Sequence, residues 1–108
     1  MTLSISTARV PTTSASRYIQ QLCKHWSHNL DVTFDPDQGR VVFPRDARGA
    51  SWAGDAVVTF VNTPDALACT IVASEPGQLE GLKGAVARHL DRFAFREAPL
   101  QFDWVDQP

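Results

Sequence analysis

Several kinds of protein are excluded by what this chain does not contain. No stretch approaches the ~20 consecutive apolar residues of a membrane-spanning helix, and Met1-Thr-Leu-Ser-Ile-Ser lacks the basic start and apolar run of a secretory leader. Two cysteines, Cys23 and Cys69, are too few for a disulfide scaffold. Both stand among apolar neighbours, which reads as reduced, buried thiols of a cytoplasmic protein. A net charge of −2 provides no pull toward phosphate backbones, and no acidic or basic block suggests a tail. Gly-x-Ser-x-Gly elbows, phosphate-cradling glycine loops, internal repeats and low-complexity segments are also missing. At 108 residues the chain is one domain, 1–108, long enough to bury roughly two-thirds of its unfolded surface.

The densest chemistry lies in the segment 15–29. Ala15, Tyr18, Ile19, Leu22 and Trp26 recur at the spacing of a helix that buries one side. Ser14 is the candidate N-cap and Asn29 the stop. His25 and His28 share the adjoining polar flank, whereas Cys23 points nearly opposite His25. Cys-x-His-x-x-His therefore looks like a metal motif that does not converge on one helix.

The rest of the chain reads mostly as strands. Leu3 to Val10 alternates up to Pro11. Asp31–Phe34 and Arg40–Phe43 are joined by the turn formers Asp35-Pro-Asp-Gln-Gly39, so a hairpin is predicted. Asp35 and Asp37 belong to that turn, since the remaining ligands of a calcium loop are not at the required spacings. Residues 44–55 form a loop with Arg45, Asp46, Arg48 and Trp52; such a ring either stacks on a ligand or covers the core edge. Segments 56–62 and 67–73 are the clearest strands, joined through Thr63–Ala66. One face carries Val58, Phe60, Leu67, Cys69 and Ile71. The other carries Val57, Thr59, Val61, Thr70 and Val72, apolar enough to suggest a homodimer surface.

Ser74-Glu-Pro introduces a second helix, with Leu79, Leu82, Val86, Leu90 and Phe93 buried. Gly77, Gly81 and Gly84 lie on its other side, either permitting close approach or simply tolerated. His89 sits at the margin of the buried stripe. Pro99 biases Ala98 against helix, so the helix ends near 94–97. Leu100, Phe102 and Trp104 alternate in a tail that forms an edge strand or packs across the sheet. The order β-α-β-β-β-β-α plus tail predicts an α+β two-layer sandwich, its mostly antiparallel sheet carrying both helices on one face.

Ser16-Arg-Tyr-Ile-Gln-Gln-Leu-Cys-Lys-His-Trp-Ser-His28, Gly39-Arg-Val-Val-Phe-Pro44 and Ala87-Arg-His-Leu-Asp-Arg-Phe-Ala-Phe-Arg-Glu97 together resemble the bacterial domain-of-unknown-function family twenty-two eighteen. The resemblance spans nearly the whole chain. It implies a TATA-binding-protein-like fold, also found as the last domain of phosphohexomutases, and no established reaction. Similar domains attached to siderophore-interacting flavoproteins imply an accessory role in iron metabolism. An aldolase name carried by some members does not suit a chain too short for the barrel such chemistry occupies.

The leading functional expectation is a noncatalytic binding module for a small anionic ligand or a protein partner. Its site residues are Arg17, Gln21, Lys24, His25 and His28 together with His89, Arg92 and Arg96, and no cofactor is required. The alternative is a small metal-dependent enzyme with His25, His28 and His89 on a divalent ion and Glu97 or an aspartate completing the site. Against both stands a structural explanation: cationic side chains near helix C-termini complement exposed carbonyls. Nucleic acid is not an expected partner, because the strands offer chiefly Arg9 and Arg40. Neither is a membrane.

Overall fold

The computed structural model describes residues 3–107. Its elements are β1 (Ser4–Pro11), α1 (Ala15–Trp26), β2 (Asp31–Phe34), β3 (Gln38–Phe43), β4 (Ala56–Thr63), β5 (Ala66–Ala73), α2 (Pro76–Phe93) and β6 (Val105–Asp106), with one 3₁₀ turn at Ala47–Gly49. The six strands form one antiparallel sheet in the order β2-β3-β4-β5-β1-β6. The protein is thus α+β, and the tail supplies an edge strand where Thr7 pairs with Val105.

Strand register sorts the side chains. Val58 lies opposite Ile71 and Phe60 opposite Cys69, all buried beneath the helices. On the reverse face Val57 pairs with Val72 and Thr59 with Thr70, all half-buried, and Val61 is 45% exposed. Period-2 alternation separates these faces because successive side chains of a strand point in opposite directions. Both helices contribute to a single apolar cluster on the first face. Cys23 and Cys69 are free and buried within it. Removal from water pushes the Cys23 thiol up to about 11 and raises Cys69 further.

Helix α1 buries Ala15, Tyr18, Ile19, Leu22, Cys23 and Trp26. Ser14 occupies the N-cap position, yet its hydroxyl makes no cap hydrogen bond. The Ser14 amide instead donates to Thr12 Oγ at 3.0 Å. A missing cap costs ~1 kcal/mol, whereas full burial of Ile19 and Leu22 is worth roughly 1.5–3 kcal/mol each. Packing holds this helix without the cap. Its last helical residue is Trp26, earlier than the predicted stop at Asn29, because a turn over 27–29 redirects the chain into β2.

The hairpin between β2 and β3 is closed by Asp35, whose Oδ1 accepts from the amides of Asp37 at 2.8 Å and Gln38 at 3.0 Å. Gly39 then brings the sheet against α1. A Cβ there would stand 2.5 Å from Cys23 Sγ and 3.3 Å from Ile19 Cγ2. The absent side chain is the space that Cys23 fills.

Helix α2 starts at Pro76, with Glu75 rather than Ser74 at the N-cap position and no side-chain cap bond. Ser74 still participates, in the reverse direction from a cap. Its amide and hydroxyl donate to Oε1 of Gln78 at 2.7 and 2.6 Å, so the helix side chain reaches back to the strand end.

Candidate functional site

A concavity of about 520 Å³ opens where the C-terminal end of α1, the middle of α2 and the loop 44–55 meet. It begins with the two imidazoles. His25 lies in the last turn of α1 and His89 in α2, and packing of the helices brings their ring centroids to 5.8 Å. His25 also stands edge-on to Phe93 at 5.8 Å. His89 Nδ1 is 2.7 Å from the Ala85 carbonyl oxygen. A carbonyl only accepts, so Nδ1 carries the hydrogen, and neutral His89 keeps an unprotonated Nε2.

Aromatic rings form the adjoining wall. The indole of Trp26, 7% exposed, meets Phe43 edge-on at 5.1 Å and His89 at 5.1 Å. Trp52 stands on the loop side, half-buried. A Cβ at Gly77 would lie 3.0 Å from its Cζ3, so that glycine lets the indole settle on the start of α2. One turn later Gly81 lines the pocket, and a Cβ there would meet nothing within 4 Å. Arg88 also lines it, its Nη1 resting 2.9 Å from where a Cβ of Gly84 would be. The glycine strip thus serves a side chain, an open space and a guanidinium in turn. It does not bring two backbones together.

Buried hydrogen bonds hold the loop in place. Gln78, 3% exposed, donates from Nε2 to the Gly54 carbonyl at 3.0 Å, and Ser74 Oγ lies 3.1 Å from the same oxygen. The Ala53 amide donates to Glu75 Oε2 at 2.8 Å and the Arg45 amide to Asp55 Oδ1 at 2.8 Å. Gly49 takes φ +77°, the left-handed conformation that closes the 3₁₀ turn. The side chain of Arg48, which the sequence placed beside Trp52, lies outside the described residues.

Of the eight residues expected to form a binding face, the pocket receives His25 and His89. Arg17, Gln21 and Lys24 are exposed along α1 and do not line it. At 1.5 Å rise per residue Arg17 lies roughly 12 Å below His25, which takes it away from the mouth. His28 is exposed in the turn after α1, where helical projection from His25 no longer applies. Arg92 and Arg96 are exposed outside the lining, with the Arg96 guanidinium 5.8 Å from the centre of the Phe95 ring.

Among the described residues no group of three His, Cys, Asp or Glu side chains is placed to hold a metal ion, so a shared His25, His28 and His89 site has no geometric support. Glu97 is engaged elsewhere: Tyr18 Oη donates to its carboxylate, and Thr12 Oγ lies 3.0 and 3.1 Å from its two oxygens. Burial raises the Tyr18 pKa, and the hydrogen bond to Glu97 raises it further.

Sequence reasoning did not place Trp26, Phe43, Gln78 or Arg88 in a site. Gln78 had a visible signal, since it falls one turn before Leu82 on the buried side of α2. Trp26 and Phe43 had none, because core aromatics and pocket aromatics share the same periodicity. A second depression, about 400 Å³, lies at the β2–β3 hairpin and contains neither imidazole nor indole.

The fold and this pocket define a small α+β protein with a ligand-sized cleft between its helices and a loop. The profile of the bacterial family described as "Uncharacterized protein conserved in bacteria (DUF2218)" matches residues 7–105, and the chain belongs to that family. It is also similar to the NMR structure of PA4090 from Pseudomonas aeruginosa, at 30% identity and a TM-score of 0.67, covering 100% of this chain and 97% of that one. No curated protein matches the chain. No helix among the described residues is long and apolar enough to cross a membrane.

Proposed function

We propose that this protein is a noncatalytic binding module whose cleft between α1, α2 and the 44–55 loop takes a small ligand. The observation that carries this reading is the meeting of His25 and His89 beside Trp26, at a wall made from elements far apart in the chain. About 520 Å³ lies within the range of small-molecule sites, which combine aromatic lining with a few polar groups. The described lining sets the imidazoles among aromatic rings, the amides of Asn29 and Gln78, and Arg88. Both cysteines are buried thiols with raised pKa values, unsuited to nucleophilic work.

A TATA-binding-protein-like classification and an accessory role in iron or siderophore utilisation are finer parts of the same proposal. The antiparallel sheet with its helices on one face is consistent with the first, and the second rests on the family resemblance alone. The binding reading is tested by screening a fragment mixture against ¹⁵N-labelled protein. Shifts are expected in the amides of 25–30, 43–47 and 77–89 and in the Trp26 and Trp52 indoles. Hits that move only residues elsewhere would remove the cleft as the site.

A further inference from the structure

The uncommitted polar groups around the cleft specify its ligand more closely. Arg88 forms no ion pair with any described carboxylate. His25 has no hydrogen-bond partner among the described side chains, and His89 has committed Nδ1 but not Nε2. No Asp or Glu lies in the described lining, so its cationic character is not neutralised within the protein. Arg88 is exposed, and its guanidinium gains most from an anion that accepts two of its N–H groups.

The apolar part has a shape preference. Trp26, packed against Phe43 and His89, is 7% exposed and contributes little open surface, whereas half-buried Trp52, seated on Gly77, offers its ring. Gly81 leaves open space where any other residue would project a side chain. Flat rings stack on such surfaces, whereas a branched or saturated body forfeits face contacts. Among the described lining residues a cationic ligand would meet Arg88 with no carboxylate to offset it, and a bare metal ion would find two imidazoles with no Cys, Asp or Glu beside them.

We infer that the cleft binds a planar aromatic monoanion of one or two rings, its ring against Trp52 and its acid group on Arg88. This inference rests on the binding reading above and names its ligand class. A one- or two-ring acid fits within about 520 Å³.

The test uses the full chain and four probes of matched size: 2-naphthoate, 2-naphthalenemethanol, 2-naphthylmethylammonium and decahydro-2-naphthoate, each titrated by NMR. Naphthoate is expected to bind at least ~10-fold more tightly than the alcohol, the ratio that about 1.4 kcal/mol of charge-assisted bonding confers. The ammonium and the saturated acid should be weaker than naphthoate by a similar factor. Arg88→Gln, with an unchanged melting temperature, should erase most of the acid-over-alcohol ratio while leaving alcohol binding intact. Gly81→Leu, which fills the open space, should abolish binding of all four. Equal binding of acid and alcohol, or an acid preference that survives Arg88→Gln, would overturn the ligand class and leave the cleft standing as a site. If none of the four shifts the cleft resonances, the ligand class fails, and the fragment screen decides separately on the cleft.

Discussion

Gly39 and Gly81 put the same residue type under opposite demands. At Gly39 the missing side chain is occupied by Cys23 Sγ, and the sheet and α1 close on each other. At Gly81 the missing side chain faces open space, and α2 contributes to a cleft. Both glycines lie in regular secondary structure, where glycine costs up to ~1 kcal/mol relative to alanine. At Gly39 that cost is offset by packing density. At Gly81, which is exposed, nothing in the fold offsets it.

The two sides should separate under perturbation, most strongly at alkaline pH. The folded-state pKa of Cys23 is raised from 9.0 to about 11, so the neutral thiol stabilises the fold fully below pH 9 and that stability is lost as pH rises through 11. The loss is on the order of 3 kcal/mol for Cys23, and Cys69 acts in the same direction. Melting temperatures between pH 7 and 11 check it: Cys23→Ala should begin lower at neutral pH but fall less steeply.

Next in size is Gly39→Ala. Its methyl would enter the Cys23 thiol, and the strand register prevents retreat, so a loss of about 1–3 kcal/mol is expected by urea denaturation. Combining it with Cys23→Ala should recover most of that loss, and additive costs in the double variant would contradict the filled-space account. Gln78→Ala tests the anchor of the cleft. It leaves Gly54 and Ser74 without their side-chain partner, at a cost of about 1–2 kcal/mol. Amide exchange in 50–55 should quicken more than exchange in the sheet.

The smallest expected change has the opposite sign. Gly81→Ala introduces a methyl into open space within a helix, so it should stabilise the protein by up to ~1 kcal/mol. A destabilising Gly81→Ala would mean that the space is not open. Gly84→Ala meets only the end of the flexible Arg88 side chain and should be nearly neutral.

Much of the fold was legible because it depends on local periodicity. Val58, Phe60, Cys69 and Ile71 were assigned to one face and Val57, Thr59, Thr70 and Val72 to the other by alternation, and the register keeps them there. The Asp35 turn and the buried stripes of both helices were legible for the same reason. Helix ends were less so. Ser14 and Ser74 have the chemistry of caps, but neighbouring side chains, Thr12 and Gln78, were better placed to use them. Of the expected cationic face, only His25 and His89 line the cleft: Arg17 and Gln21 lie a turn or more from its mouth, and Lys24 is rotated about 100° from His25.

The order of residues alone determined which side of each strand and helix would be dry, since backbone geometry repeats every two or 3.6 residues whatever the remote neighbours are. The tertiary structure alone decided that one glycine would be filled and another left open, and that Trp52, Arg88 and the two imidazoles would share a cleft. Those outcomes are distances between elements remote in sequence, and such distances are set by how whole layers pack.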